Sequence, residues 1–404
     1  MNYLGRPRAE LETAGGIWTA REIAQQPAVW ANIECLIASE AGALRAFLDP
    51  LFERRDLRVV LTGAGSSSFV GECLAPALKR RTRLRVDAVA TTDLVGSPDS
   101  CLEPTVPTLL VSFARSGNSP ESVAALKLAE QGMTDCHHLI VTCNRKGDLY
   151  RQGQRRNAHL VLLPEETNDR GFAMTSSFTG MMLAAALAFD LLPQDRTAAL
   201  ASWATHVLEA GLPFAARLAR SGFERVVYLG SREFAGLARE AALKMLELSD
   251  GRIVSVAETP MGFRHGPKTI VNGKTLVVMF LCNDPYTRRY EMDLLRELRA
   301  DGVAARVVAL HAGQADALLA DTALTGSAQA GPAQAGAVPA EGIAVPDAAG
   351  ASDLGLCFPY AMFAQTFAFL QSLNLGLRPD TPNARGVVNR VVQGVSIYPW
   401  NPPR

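Results

Sequence analysis

Three charged residues stand at helical spacing in the second half of the chain, where they could transfer protons. Glu240, Lys244 and Glu247 occupy positions i, i+4 and i+7, so a helix would place all three on one face. Such a stripe is usually a solvated row of ion pairs, but the same residue types act as general acids and bases when they line a pocket. A loop downstream, AETPMGFRHGPKTI, adds a second group of candidates: Glu258, Arg264, His265 and Lys268.

Two serine-rich turns in the first half of the chain are candidate anion-binding loops. TGAGSSSFVG (62–71) and VSFARSGNSPES (111–122) each follow an apolar run and precede a helical pattern. Turns of this kind present backbone N–H groups and hydroxyls at the positive end of a helix, which suits an anion. In a doubly wound sheet both turns would converge on one edge. Together they favour a phosphate monoester as the ligand.

Two other interpretations of these turns stay open. Gly63 and Gly65 fit the start of a dinucleotide-binding G-x-G-x-x-G motif, and Asp87 is placed for a ribose. Ser68 occupies the third glycine position, however, and the added hydroxyls favour a terminal phosphate over a bridging pyrophosphate. The serines could also do no more than cap helices.

Short apolar runs alternate with amphipathic helical patterns along most of the chain. In the first half, the run LRVVLTG (57–63) precedes a helix predicted at about 68–81, and another helix is predicted at 119–131. This alternation is typical of a parallel sheet covered by helices on both faces. The segment RVVYLGSREFAGLAREAALKMLEL (225–248) then repeats the pattern of RVVLTGAGSSSFVGECLAPALK (58–79). We therefore expect an α/β fold with two tandem doubly wound parallel sheets.

The two copies differ in the turn that follows their first strand. The first copy has a run of serines there, whereas its counterpart has a cation and an acid, and Glu233 would repel a phosphate. Only the first copy is therefore expected to bind an anion. The residues compared are Ser66, Ser67 and Ser68 in the first copy and Ser231, Arg232 and Glu233 in the second.

The chain is predicted to have three parts. Residues 1–55 form an N-terminal helical segment, residues 56–215 the first, phosphate-binding domain, and residues 216–400 the second domain with the acid–base residues. Within the second domain, residues 311–351 are rich in Ala, Gly and Pro and are predicted to be a flexible insertion. An irregular tail follows the last predicted helix.

Composition excludes several classes of protein. The 404 residues carry 40 basic and 40 acidic side chains, so no global field favours nucleic acid or an anionic membrane. The N-terminus lacks the apolar core of a signal peptide, and no apolar run reaches the length that spans a bilayer. The seven cysteines have no CxxC spacing and indicate a reduced, cytoplasmic protein. No group of His, Asp and Glu has metal-ligand spacing, so we predict no metal.

The two serine turns, followed by E-x-x-x-K-x-x-E and HGP, resemble tandem SIS (sugar isomerase) domains, as in the isomerase half of glucosamine-6-phosphate synthase. The variant ARSGNSPES and the tail NARGVVNRVVQGVSIYP resemble, more narrowly, the AgaS-like galactosamine-6-phosphate deaminase/isomerase group, also called tagatose-6-phosphate ketose/aldose isomerases. The resemblance extends from about residue 20 to 400, interrupted by the segment 311–351. It implies a phosphorylated amino sugar as substrate.

The resemblance also implies roles for individual residues. Glu247 matches the carboxylate that moves a proton between sugar C1 and C2, with Lys244 and Glu240 as its companions. His265 matches the histidine implicated in opening the pyranose ring. In the synthase that histidine comes from the neighbouring subunit, which implies a homodimer or a higher homo-oligomer. The residues that match or flank the phosphate-binding positions are Ser66, Ser67, Arg115, Ser116 and Ser119.

The sequence departs from the synthase at its end. The synthase carries an active-site lysine in its short tail, whereas this chain has none there, and Arg390 is a possible tail contact in its place. The chain also has no glutaminase domain to supply ammonia, so ammonia release is the more natural direction. We therefore expect a deaminase/isomerase that converts galactosamine 6-phosphate to tagatose 6-phosphate and ammonia without a cofactor. The alternatives are a glucosamine-6-phosphate deaminase, an aldose–ketose phosphosugar isomerase, or a non-catalytic sugar-phosphate-binding regulator.

Overall fold

The computed structural model describes residues 1–313, 341–392 and 394–401. Its strands begin and end close to the apolar runs of the sequence, since these runs are rich in β-branched residues. In chain order they are β1 Asn2–Tyr3, β2 Arg6–Pro7, β3 Arg58–Gly63, β4 Arg85–Ala90, β5 Thr108–Ala114, β6 Cys136–Thr142, β7 Ala158–Leu162, β8 Arg225–Gly230, β9 Val254–Glu258, β10 Thr275–Phe280, β11 Arg306–Ala312 and β12 Glu341–Val345.

Helices alternate with these strands. The stretch 173–221 contains three helices. In chain order the helices are α1 Arg8–Ala14, α2 Ile17–Ala24, α3 Gln26–Phe52, α4 Ser66–Thr82, α5 Thr91–Gly96, α6 Pro98–Cys101, α7 Pro120–Gly132, α8 Asp148–Gln152, α9 Ser176–Ala188, α10 Thr197–Glu209, α11 Leu212–Ala219, α12 Glu233–Leu248, α13 Pro260–Phe263, α14 Pro285–Asp301 and α15 Asp353–Asn374, with 3₁₀ turns at Glu165–Thr167 and Pro267–Ile270.

Two five-stranded sheets carry the fold, and the expected α/β class is confirmed. The first sheet has the order β4-β3-β5-β6-β7 and the second has the order β12-β11-β10-β8-β9. All neighbouring strands within each sheet run parallel. Matching β3 to β8 and proceeding along the chain makes the two orders identical. The repeat detected in the sequence is therefore a repeat of topology.

The chain divides into two compact units that do not coincide with the predicted domains. The first-sheet unit comprises Arg21–Pro193 and Asn383–Arg404, and the second-sheet unit comprises Met1–Ala20 and Gln194–Pro382. Residues 21–55, predicted as part of a separate helical segment, thus belong with the first sheet, because α3 packs against α9. The tail after residue 382 also belongs with the first sheet rather than the second.

Each unit has its own buried helix. In the first-sheet unit, α9 is buried along most of its length and packs against α3 and α4. In the second-sheet unit, α15 is almost wholly buried and packs against α10, α11 and α12. The α15 pattern is apolar on all sides, which is typical of a helix enclosed by protein. Among the described residues no helix is long and apolar enough to cross a membrane.

The predicted flexible insertion needs a correction at both of its ends. His311 and Ala312 end β11, and Glu341–Val345 form β12, which pairs with β11 in parallel. Ile343 and Val345 are buried, so this short run has enough apolar surface to join the sheet. The middle of the predicted insertion, residues 314–340, lies outside the described residues.

Candidate active site

The first serine turn joins β3 to α4 by a route that only small residues allow. A Cβ on Gly63 would lie 2.5 Å from the carbonyl carbon of Ser67, and Gly65 has a φ of +57°, which L residues rarely adopt. These two glycines let the helix begin directly after the strand. As a result the serine run forms the first turn of α4, where it is largely buried. Ser66, Ser67 and Ser68 are 3%, 5% and 7% exposed.

The second serine turn follows β5, which is the neighbour of β3 in the sheet. Gly117 has a φ of +64°, and the Ser116 hydroxyl accepts a hydrogen bond from the Asn118 N–H at 3.3 Å. The Ser116 carbonyl accepts from the Asn144 side-chain amide at 2.7 Å, which ties the turn to the loop after β6. The turn is thus held in place from two sides, while the Ser116 side chain is only half-buried.

The two turns lie at the switch point of the first sheet. The chain goes from β3 outward to β4 and from β5 in the opposite direction to β6. Loops that diverge in this way leave a crevice at the carboxyl ends of the two central strands, which is where open α/β sheets bind ligands. Both serine turns begin at those carboxyl ends.

Ser119 has a structural role that was one of the open alternatives. It is the N-cap of α7, and its hydroxyl oxygen accepts from the Ser122 N–H at 3.3 Å. Its own proton is directed to the Ser122 hydroxyl oxygen at 2.6 Å. Capping by the serine and a proline at the first helical position together fix where α7 begins.

Arg115 donates to backbone carbonyls. One terminal nitrogen donates to the carbonyls of Gly171 and Phe172 at 3.3 and 3.1 Å, and the other donates to the carbonyl of Arg390 at 2.8 Å. The side chain is 7% exposed. Arg115 therefore ties the C-terminal tail and the loop before α9 to the second serine turn.

Arg390 strengthens the same connection from the tail. Its Nε donates to the Asp169 carbonyl at 2.8 Å, and one terminal nitrogen donates to Oδ1 of Asn168 at 3.2 Å. Arg390, the tail residue considered in place of the synthase lysine, contacts the loop before α9. Asp169 is fully buried, and its carboxylate accepts from the N–H groups of Thr175, Ser176 and Ser177.

Sequence reasoning missed this loop, residues 168–175. Glu22 also holds it, since its carboxylate accepts from the N–H of Gly171 at 3.1 Å and from that of Arg170. The available signal was Asp169, an acid shortly before the segment TSS (175–177), which is a helix-capping pattern. Glu22 carried no signal, because its partner is about 150 residues away in the chain.

The second-sheet unit holds the acid–base residues on α12. Lys244 is fully buried, Glu240 is 2% exposed, and the side chain of Glu247 is 24% exposed. The Lys244 ammonium makes an ion pair with Glu247 Oε2 and lies 3.6 Å from Glu240 Oε1. The stripe is therefore not the solvated row of charges that such spacing usually indicates. A buried ammonium is tolerated only beside carboxylates, which neutralise it.

Burial distinguishes the members of this triad. Glu240 and Lys244 are enclosed, whereas part of the Glu247 side chain is exposed. A carboxylate that is half-enclosed and held by an ammonium is kept in one orientation and can still meet a substrate. This arrangement suits general acid–base catalysis.

His265 lies in the loop between β9 and β10 and is exposed. The preceding short helix α13 is capped by the Thr259 hydroxyl and anchored by the fully buried Phe263. Gly266 has a φ of +118°, a conformation that requires glycine. Glu258, at the end of β9, accepts from the Thr259 N–H at 2.7 Å.

Comparison with known proteins identifies a matching domain family and relatives of this chain. The SIS domain family matches residues 51–191. Over 389 residues the chain is 48% identical to an AgaS protein of Streptomyces coelicolor, covering 95% of this chain and 96% of that protein. It is 44% identical to the D-galactosamine-6-phosphate deaminase AgaS of Escherichia coli, covering 96% and 97% of the two chains.

The chain belongs to the AgaS family of SIS-domain proteins. A solved structure agrees: the tagatose-6-phosphate ketose/aldose isomerase of Escherichia coli matches with a TM-score of 0.85 and 41% identity, covering 99% of this chain and all of that one. The expected resemblance is thereby confirmed, and this AgaS-family protein is an enzyme of amino sugar and carbohydrate metabolism. The alternative of a non-catalytic regulator is set aside.

Proposed function

We propose that this enzyme deaminates galactosamine 6-phosphate to tagatose 6-phosphate and ammonia. The buried Glu240–Lys244–Glu247 triad is the observation that carries the proposal, because its one accessible carboxylate is suited to proton transfer. The name of the Escherichia coli relative, a D-galactosamine-6-phosphate deaminase, supports the same substrate.

The chemistry needs a phosphate clamp and a base. Ser66, Ser67 and Ser116 would donate hydrogen bonds to the phosphate, each worth about 1.5–3 kcal/mol because the acceptor is charged. Arg115 would act indirectly, by holding the loop around the second serine turn through its hydrogen bonds to backbone carbonyls. Ser119 would contribute through the start of α7, which its side chain caps.

Glu247 would carry out the proton transfer. Once the sugar ring is open, with His265 assisting, the hydrogen on C2 is acidic because C1 is an aldehyde. Glu247 removes it to give an enolamine and returns the proton to C1, which leaves a ketimine at C2. Water then hydrolyses the ketimine to the ketose phosphate and ammonia. General acid–base catalysis of this kind contributes roughly 10²- to 10⁴-fold.

A homo-oligomer and a cytoplasmic location complete the proposal. The exposed position of His265 is compatible with a histidine that serves a neighbouring subunit, as the family resemblance implies. All seven cysteines are free, which suits a reducing compartment.

A second candidate is the aldose–ketose isomerisation of galactose 6-phosphate, in which C2 keeps its oxygen. The name of the solved Escherichia coli structure favours it. The same proton transfer would serve both reactions, so the substrate's C2 substituent decides between them.

One assay tests the proposal. Purified enzyme is given galactosamine, glucosamine or galactose 6-phosphate, and both ammonia and ketose phosphate are measured. We expect equal amounts of ammonia and tagatose 6-phosphate from galactosamine 6-phosphate. Ketose formation from galactose 6-phosphate at a higher kcat/KM would contradict deamination as the main reaction. Preference for glucosamine 6-phosphate would contradict the assigned epimer.

A further inference from the structure

The loop that carries His265 is anchored at Phe263, and its tip, residues 264–268, is partly or fully exposed. Phe263 is fully buried, and the His265 N–H donates to the Gly262 carbonyl at 2.9 Å. Beyond the histidine, Gly266 and Pro267 are exposed. Within the part of the chain that the structure describes, the imidazole has no hydrogen-bond or ion-pair partner. The direction of the ring therefore depends on how the loop backbone is held.

Two cations flank the tip and meet at one carboxylate. Arg264 precedes His265 and donates from Nε and from a terminal nitrogen to Glu297 Oε2, at 2.9 and 2.8 Å. Lys268, three residues after the histidine, pairs with the other oxygen of Glu297. Glu297 lies on α14, so this carboxylate joins both ends of the tip to a regular helix. We call this arrangement the Glu297 clamp.

The clamp is charged in the neutral pH range. Burial raises the pKa of the Glu297 carboxyl, but the hydrogen bond and charge of Lys268 and the charge of Arg264 outweigh it and lower that pKa. Burial likewise opposes charge on Lys268, but hydrogen bonds to Asp301 and Glu297 raise the pKa of its ammonium. Asp301 lies 2.6 Å from that ammonium.

Such a clamp contributes little to the stability of the fold. Its side chains are about a third exposed, from 28% for Lys268 to 38% for Asp301. Ion pairs of this exposure usually contribute little to stability. The two contacts of Arg264 with one oxygen of Glu297, and the position of the cations on both sides of one histidine, indicate instead that the clamp fixes the local geometry of the loop.

We propose that Glu297 is a positioning residue that orients His265. The inference rests on the proposed role of His265 in ring opening. Since no hydrogen bond or ion pair of the imidazole among the described residues orients the ring, the ring follows the loop backbone. Loss of the Glu297 carboxylate would release the Arg264 end of the tip and leave Lys268 paired with Asp301. Misplacement of a reacting group by about 1 Å can cost up to roughly 10²-fold in rate.

The test is a double-mutant cycle measured as ammonia release from galactosamine 6-phosphate. Glu297→Gln is expected to lower kcat/KM roughly 10-fold. The variant His265→Asn/Glu297→Gln should be no slower than His265→Asn alone, because the carboxylate acts through the histidine. The matched control is Glu224→Gln, which breaks the exposed Lys274–Glu224 pair of the same unit and should leave kcat/KM unchanged.

Three results would overturn the proposal. Wild-type kcat/KM in Glu297→Gln would show that the clamp does not matter, and a multiplicative loss in the double variant would show that Glu297 acts independently of His265. Asp301→Asn leaves Glu297 in place and should lose less than Glu297→Gln, so a loss as large would also contradict the assignment. Wild-type activity in His265→Asn is a separate failure, because it would refute the proposed role of the histidine itself.

Discussion

The turns after β3 and β8 have the same backbone conformation but carry side chains of different charge. Gly65 has φ and ψ of 57° and −127°, and Arg232 has 55° and −122° at the equivalent point. Gly63 and Gly230 correspond as well, since a Cβ on either would collide with the residue four positions on. Counting from these glycines, Glu233 matches Ser66, which refines the correspondence expected from the sequence.

The arginine of the second turn is paired with acidic residues. Arg232 pairs with Asp284 at 2.8 Å and lies 3.6 Å from both Asp353 and the fully buried Glu233. An arginine with positive φ carries backbone strain of about 1–3 kcal/mol, which glycine at the same place avoids. In the first sheet the equivalent turn has no such cation, and its first helical residue is a serine.

The comparison shows that backbone geometry alone does not make an anion site. The same turn carries an arginine paired with acidic residues in one copy, and in the other it presents hydroxyls for the phosphate that we propose. The first residue of the following helix differs in charge between the two copies, being Ser66 in the first and Glu233 in the second. Substitutions that exchange these residues test the comparison.

The largest effect is expected from giving the first turn the acid of the second. Ser66→Glu should lower kcat/KM for galactosamine 6-phosphate roughly 10²-fold, since it removes a donor and adds repulsion of the phosphate. Steady-state kinetics measure this loss against Ser66→Ala, for which roughly 10-fold is expected. If the two variants differ by less than about twofold, the phosphate does not approach Ser66.

A smaller effect is expected at the second serine turn. Ser116→Ala should raise KM roughly 10-fold and leave kcat nearly unchanged, because the phosphate contact is the same in ground and transition states. Ser39→Ala, at an exposed position of α3, is the control and should change neither constant. A fall in kcat at constant KM would contradict phosphate binding by Ser116.

The smallest effect concerns stability of the second turn. Arg232→Gly and Arg232→Ala both remove the ion pairs, but only glycine relieves the backbone strain. The glycine variant should therefore be more stable by about 1 kcal/mol, the strain less the entropy cost of glycine. Urea unfolding of both variants measures the difference, and an alanine variant of equal or greater stability would show that the turn is unstrained.

Much of the fold was predictable, because strands buried on both faces appear as short apolar runs. The strand Arg58–Gly63 and the helix Pro120–Gly132 have nearly the predicted bounds, and the repeat predicted two copies of one topology. β12 was missed because EGIAV is short and follows an Ala/Gly/Pro-rich stretch. Its place depends on pairing with β11, which sequence periodicity does not report.

The sequence predicted the residue types of the candidate site, but it did not predict how deeply those residues are buried. The spacing of Glu240, Lys244 and Glu247 defines one helix face, yet whether that face is solvated depends on what packs against α12. One of the neighbours of α12 is α15, more than 100 residues later. The contacts of Arg115 with the tail are equally remote, since Arg390 is 275 residues away. Local patterns therefore identified the groups, and distant packing determined their environment.

The most direct test of the account is to neutralise the Glu247 carboxylate without changing its shape. Glu247→Gln should bind galactosamine 6-phosphate with nearly wild-type affinity by calorimetry, because the phosphate contacts are intact. It should release ammonia roughly 10²- to 10⁴-fold more slowly than the wild type, since the base is absent. Ammonia release within tenfold of the wild-type rate would contradict proton transfer by Glu247 and, with it, the proposed mechanism.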